Sequence, residues 1–155
     1  MKVAVITISD RAHRGEYEDL SGPEIERLVK ERFPEAEVAR EIVPDEREQL
    51  LAALQRRLGC DYILTTGGTG ISKRDITPEV SAEFCRRPLP GISETLRARS
   101  CAETPFAMLS RGYAGLRERT IVVNFPGSVK AVSLCTRVLL PVMEHGIKML
   151  RGEGH

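Results

Sequence analysis

A chain of 155 residues with 41% apolar and 29% charged side chains can bury roughly two-thirds of its unfolded surface in one core, which excludes a disordered or fibrous class. Its 23 basic and 22 acidic residues leave a net charge of +1, which excludes charge-driven binding to nucleic acid or to a membrane surface. One domain over residues 1–155 is expected, and any anionic ligand has to be held locally.

Lys2 to Ile8 is a β-branched run that predicts a first strand. Asp10 and Arg11 interrupt the apolar stretch and no small-residue cleavage site follows, so it does not read as an export signal. Ser21, Gly22 and Pro23 open a helix whose Ile25, Leu28, Val29 and Phe33 share one face. Val38 to Val43 predicts a second strand, and Asp45 with Glu48 three residues on forms a capping-box pattern before a helix ending at Gly59. Tyr62 to Thr66 predicts a third strand, and Thr77 with Pro78 the cap and first turn of a helix to about Arg86.

Gly91 to Cys101 reads as helical, and Tyr113 to Leu116 with Thr120 to Asn124 as a hairpin. A helix from Ser128 to Leu139 is expected to break at Pro141, which starts a terminal helix to Leu150. Strands alternating with helices define an α/β fold: three layers, α/β/α, a mostly parallel sheet and an antiparallel edge hairpin. No apolar run is long enough to span a membrane. Cys60, Cys85, Cys101 and Cys135 form no CxxC pair, which predicts reduced thiols in a cytoplasmic protein, and the scattered His13, His145 and His155 predict no zinc site.

Parallel sheets bind ligands at the carboxyl ends of their strands. Those exits carry Ser9 and Asp10, then Asp45, then the stretch TTGGTGISKRDITPEV from Thr65, then Asn124 to Ser128. The third exit matches neither a Walker A loop nor a dinucleotide fingerprint, because Lys73 follows Ser72 and stands where a glycine is needed. Gly67, Gly68 and Gly70 let main-chain N–H groups approach an anion, with Lys73 and Arg74 adding charge and Thr69 and Thr77 adding hydroxyls. A plain chain reversal is the alternative, but it needs fewer glycines. Asp75 beside a phosphate cradle makes sense if magnesium lies between them, so Asp75 with Asp45 is the candidate metal pair; helix capping is the alternative for both, and pairing with Arg74 a further one for Asp75. Pro126, Gly127 and Ser128 begin a helix, another place where free N–H groups attract phosphate, with an ordinary strand-to-helix turn as the alternative.

With those residues assembled, the sequence resembles the molybdenum-cofactor biosynthesis family that includes MogA, MoaB and the N-terminal domain of gephyrin. The resemblance runs from Val5 to Gly152 and is carried by GGTGISKRDITPE, with ISD at Ile8, DLSGP at Asp19, VPDE at Val43, LPGISE at Leu89, PFAMLSR at Pro105 and NFPGSVKAV at Asn124. Phe125 stands where leucine is usual, and Val129 where proline often follows. The resemblance implies adenylylation of molybdopterin by Mg-ATP, a homotrimer or in some members a hexamer, and a molybdenum-insertion partner protein. It matches Asp45 and Asp75 to important acidic positions and Glu94 and Ser110 to positions near pterin and nucleotide, and brings Gly22 and Thr66 into the substrate-binding set. A pterin-binding scaffold without turnover and a nucleotide-cleaving hydrolase are the alternatives.

Overall fold

Six strands form one sheet in the order β2-β1-β3-β6-β5-β4, where β1 is Lys2–Ile8, β2 Glu37–Val43, β3 Tyr62–Thr66, β4 Arg87–Pro88, β5 Ala114–Arg117 and β6 Thr120–Phe125. The computed structural model describes residues 1–153, so His155 lies outside the described residues. Strands β2, β1, β3 and β6 run parallel, and β5 and β4 close one edge antiparallel. The expected hairpin is β5–β6; the two-residue β4 beyond it carried no sequence signal.

Alternation along the central strands sorts their side chains into two cores. Val3, Val5, Tyr62, Leu64, Ile121 and Val123 face helices α2 (Ser21–Arg32), α5 (Pro90–Cys101) and α6 (Val129–Leu150). Ala4, Ile6, Ile8, Ile63 and Val122 face α3 (Arg47–Arg56) and α4 (Thr77–Phe84). Both faces are covered, which gives the three layers. A one-turn helix α1 (Asp10–His13) follows β1 directly.

Three sequence expectations are corrected. Pro141 does not break the last helix, which runs unbroken through it. Its missing N–H and ring clash cost about 3 kcal/mol, but α6 buries Leu139, Leu140, Met143 and Ile147 on the sheet, each contributing roughly 1.5–3 kcal/mol. Packing on both sides of the proline therefore outweighs the break, and the Tyr62 hydroxyl donates to the Met143 carbonyl at 3.1 Å. Helix α4 stops at Phe84 rather than Arg86, because Cys85 turns extended and feeds β4. The capping box does not form: Glu46 is the N-cap of α3, without a side-chain bond, and Asp45 is engaged elsewhere.

Candidate phosphate-binding site

The parallel order of β2, β1, β3 and β6 brings their carboxyl ends side by side, so the four exits converge. Two of them are tied by a reciprocal pair: Asp10 N–H donates to Asp45 Oδ2 and Asp45 N–H to Asp10 Oδ1, both at 3.0 Å. Arg74 reaches across from the third exit and donates to Asp10 Oδ2 at 2.6 Å. The Arg74 guanidinium holds the Asp10 carboxyl below its ordinary value, whereas burial, with like charge at Asp10 and Asp75, pushes Asp45 up.

The glycine loop after β3 has its carbonyls tied down in sequence. Gly67 O accepts from the Thr77 hydroxyl at 3.0 Å and Gly68 O from Thr77 N–H at 3.1 Å. Thr69 O accepts from Arg111 N–H at 2.8 Å and Gly70 O from Arg111 Nε at 2.6 Å. In a trans peptide the following N–H points opposite to each carbonyl. The N–H groups of Gly68, Thr69, Gly70 and Ile71 therefore turn away from these anchors, and among the described residues none has an acceptor. Four consecutive donors without a partner are what an anion-binding nest is made of.

Gly67 and Gly68 adopt φ of +98° and +64°, and a Cβ would collide with the Ile8 carbonyl at the first and the Thr77 hydroxyl at the second. These glycines thus serve packing as well as the nest. Asp75 Oδ2 accepts from Ser72 N–H at 2.8 Å and closes the far side of the loop. It neither pairs with Arg74 nor caps α4.

Thr69, Gly70 and Ile71 open onto a cleft of about 1090 Å³ that is also lined by Phe106, Ser110, Pro126 and Ser128. One wall is a 3-10 turn, Pro105–Leu109, whose Phe106 is 79% exposed. The floor is the start of α6, where the backbone of Gly127 abuts that of Gly67. A flat apolar ring and a phosphate can thus be held side by side.

The hydroxyls expected to bind substrate mostly hold the scaffold. Ser9 caps α1 through Ala12 N–H, and Ser128 caps α6 through Ala131 N–H. Thr66 donates to Pro126 O at 2.8 Å, and the Thr77 hydroxyl is buried on Gly67 O. Gly22 packs against Asp19, whose carboxylate takes Gly22 N–H at 3.0 Å. Glu94 is exposed on α5 outside the cleft, and Lys73 is exposed on the loop. Thr69 and Ser110 do line the cleft. Two residues have roles that the sequence does not show, although both stand in stretches it singles out. Arg111 anchors the nest, and buried Asn124 joins β3 to α4 by donating to Thr65 and Ser81 hydroxyls, both at 2.9 Å. Arg111 lies 41 residues from Gly70, and no local pattern signals that reach.

Among the described residues, no group of three or more His, Cys, Asp and Glu side chains forms a ready metal cage. The oxygen-only pair Asp45 and Asp75 fits a magnesium ion that arrives with phosphate oxygens and water in its shell. Asp45, raised by burial, favours the folded state only when protonated. That contribution is complete below the ordinary carboxylate value and lost as the pH rises through the raised one. Asp45→Asn, which keeps the acceptor for Asp10 N–H, is therefore expected to raise the melting temperature at neutral pH; thermal unfolding at pH 7 checks it, and a lower melting temperature counts against it.

A doubly covered, mostly parallel sheet with a glycine loop among its converging strand ends defines an α/β protein whose candidate ligand site lies at the carboxyl ends of the strands. Residues 4–145 match the family described as "Probable molybdopterin binding domain", and the chain belongs to that family, within molybdenum-cofactor biosynthesis. A molybdopterin adenylyltransferase of Helicobacter pylori is 38% identical over 97% of this chain and 88% of its own length. The crystal structure of the molybdopterin biosynthesis enzyme MoaB from Thermus thermophilus superposes with a TM-score of 0.88 at 39% identity, covering 98% of this chain and 97% of that one. The tungsten cofactor synthesizing protein MoaB of Pyrococcus furiosus gives a TM-score of 0.84 at 37% identity over 97% and 96%.

Proposed function

We propose that the protein is a molybdopterin adenylyltransferase that uses Mg-ATP. The observation that carries the reading is the run of four free N–H groups from Gly68 to Ile71 beside an apolar wall. A terminal phosphate oxygen of molybdopterin attacks the α-phosphorus of ATP, the bond from that phosphorus to the β-bridging oxygen breaks, and pyrophosphate leaves. Such a transfer needs no protein nucleophile; positioning and charge stabilisation carry it. The nest and the start of α6 hold phosphate, the Phe106 wall takes a ring, and Asp45 and Asp75 hold the magnesium of Mg-ATP. That ion supplies neutralisation of charge on the departing pyrophosphate.

Incubation with magnesium, α-labelled ATP and molybdopterin tests the reading. Label in adenylyl-molybdopterin supports it; label in AMP alone identifies a hydrolase, and no turnover a pterin-binding scaffold.

A homotrimer is part of the proposal, supported by four large apolar side chains, Ile71, Phe106, Met108 and Leu109, each more than half exposed. A hexamer, which needs a second interface between two trimers, is the larger alternative. Sedimentation equilibrium at micromolar concentration is expected to give three times 17.2 kDa; a monomer of that mass rules the assembly out. No helix among the described residues is long and apolar enough to cross a membrane. The cysteines are free, which supports a cytoplasmic setting, where a molybdenum-insertion partner would take the adenylylated product.

A further inference from the structure

The cradle rests on two anchors, and only one lies within the loop's own strand–loop–helix unit. Thr77 fixes the carbonyls of Gly67 and Gly68 from the first turn of α4. The other half depends on Arg111, which enters from the end of the 3-10 turn. Its N–H takes Thr69 O, its Nε takes Gly70 O at 2.6 Å, and its Nη2 takes Asp75 O at 2.7 Å. Glu79 of α4 pairs with Nη1 and holds the guanidinium plane.

We infer that Arg111 is the positioning residue of the phosphate cradle: its main-chain N–H holds the Thr69–Gly70 peptide, and its guanidinium turns the Gly70–Ile71 peptide so that the Ile71 N–H faces the cleft and carries the Asp75 backbone in the same grip. The inference rests on the adenylyl-transfer reading for its ligand. Each element of the geometry has a chemical reason. A planar fork offers Nε and Nη2 donors in fixed directions and so spans two carbonyls at once. A lysine at the same place delivers its donors from one nitrogen and cannot hold both.

Engagement by two backbone carbonyls and Glu79 also directs the donors of this cation away from an incoming phosphate. Its charge is balanced by Glu79, so its effect on the ligand passes through the loop. Without the guanidinium, the Gly70 and Asp75 carbonyls lose their donors, and the Gly70–Ile71 peptide is free to rotate while Ser72 stays tied to the Asp75 carboxylate. A carbonyl turned into the cleft repels the phosphate that an N–H would bind.

The test measures inorganic pyrophosphate affinity by calorimetry, with thermal unfolding and the KM for Mg-ATP, on full-length wild type, Arg111→Lys and Arg111→Ala. Arg111→Lys is expected to weaken pyrophosphate about tenfold to a hundredfold, the loss of one or two ion-strength hydrogen bonds. Its KM rises in step, and unfolding changes little. Guanidinium ion added to Arg111→Ala is expected to restore part of the affinity, a recovery that simple loss of fold does not show. Wild-type pyrophosphate affinity in Arg111→Lys overturns the inference, because it reduces the residue to a charge. If Arg111→Ala fails to fold, the lysine variant decides alone. Wild type that binds pyrophosphate but forms no adenylyl-molybdopterin removes the transferase reading and leaves the positioning role to be judged on the affinities.

Discussion

Asp75→Asn is expected to lose adenylyl transfer by about two to four orders of magnitude, since metal-assisted charge stabilisation is worth several kcal/mol and each 1.4 kcal/mol is tenfold. The fold should tolerate the change. Asp75 Oδ2 takes Ser72 N–H at 2.8 Å, and an amide oxygen accepts the same bond. What disappears is the negative charge that would hold magnesium. Molybdopterin binding relies on the nest and should survive, or tighten as repulsion falls. Single-turnover formation of adenylyl-molybdopterin, followed across a magnesium titration with pterin affinity measured separately, resolves the two effects. Transfer at the wild-type rate removes the metal role. Equal loss of binding and rate recasts Asp75 as a loop staple acting through Ser72.

Gly68→Val is expected to lower both phosphate affinity and stability. From sequence, such a change predicts weaker binding with little loss of fold, because the glycines outnumber what a turn needs. The structure revises that expectation. Gly68 has φ +64°, and its Cβ would strike the Thr77 hydroxyl and come within 3.3 Å of Asp45 Oδ1. A left-handed β-branched residue costs about 1–2 kcal/mol, and displacing the Thr77 hydroxyl from Gly67 O adds roughly 1 kcal/mol. The sum corresponds to a fall of about 4–12 °C in melting temperature for a domain of this size. Affinity for pyrophosphate should drop at least tenfold, the equivalent of about 1.4 kcal/mol, because the same collision rotates the first two donors of the nest. Calorimetry and thermal unfolding on one preparation measure both. Unchanged affinity in a folded variant removes the cradle, and an unchanged melting temperature removes the packing role assigned to Gly68.

The fold was legible because its signals are local and redundant. Lys2–Ile8 and Tyr62–Thr66 are short apolar runs buried on both faces, and their bounds coincide with the strands observed. The convergence of four exits follows from parallel pairing, a rule of topology that needs no side-chain detail. Pro141 misled because a local penalty was set against packing that only the assembled sheet supplies. Asp45 misled in the opposite way: a true capping pattern was present, but a stronger partner, the Asp10 backbone across two strands, takes the carboxylate.

At the site, residue types were easier to read than their directions. Ser9, Thr66, Thr77 and Ser128 were recognised as polar groups near a ligand, yet each hydroxyl is used by the chain itself. A hydroxyl can face a ligand or a carbonyl one bond rotation away, and sequence carries no record of which. Arg111 was quoted within a motif and given no task, because its partners at Thr69, Gly70 and Asp75 are brought near only by folding. The free donors were likewise invisible individually; they follow from where the neighbouring carbonyls are bound.

Main-chain donors of this loop that face a transferred phosphate report on it directly through their amide resonances. Amide proton and nitrogen shifts of Gly68, Thr69, Gly70 and Ile71 can be followed while Mg-ATP or molybdopterin is titrated into the labelled protein. The account predicts that these four resonances move together, the protons downfield as N–H groups gain charged acceptors, and saturate with the affinity measured by calorimetry. Saturating ligand that leaves all four unmoved, while resonances elsewhere shift, would contradict it.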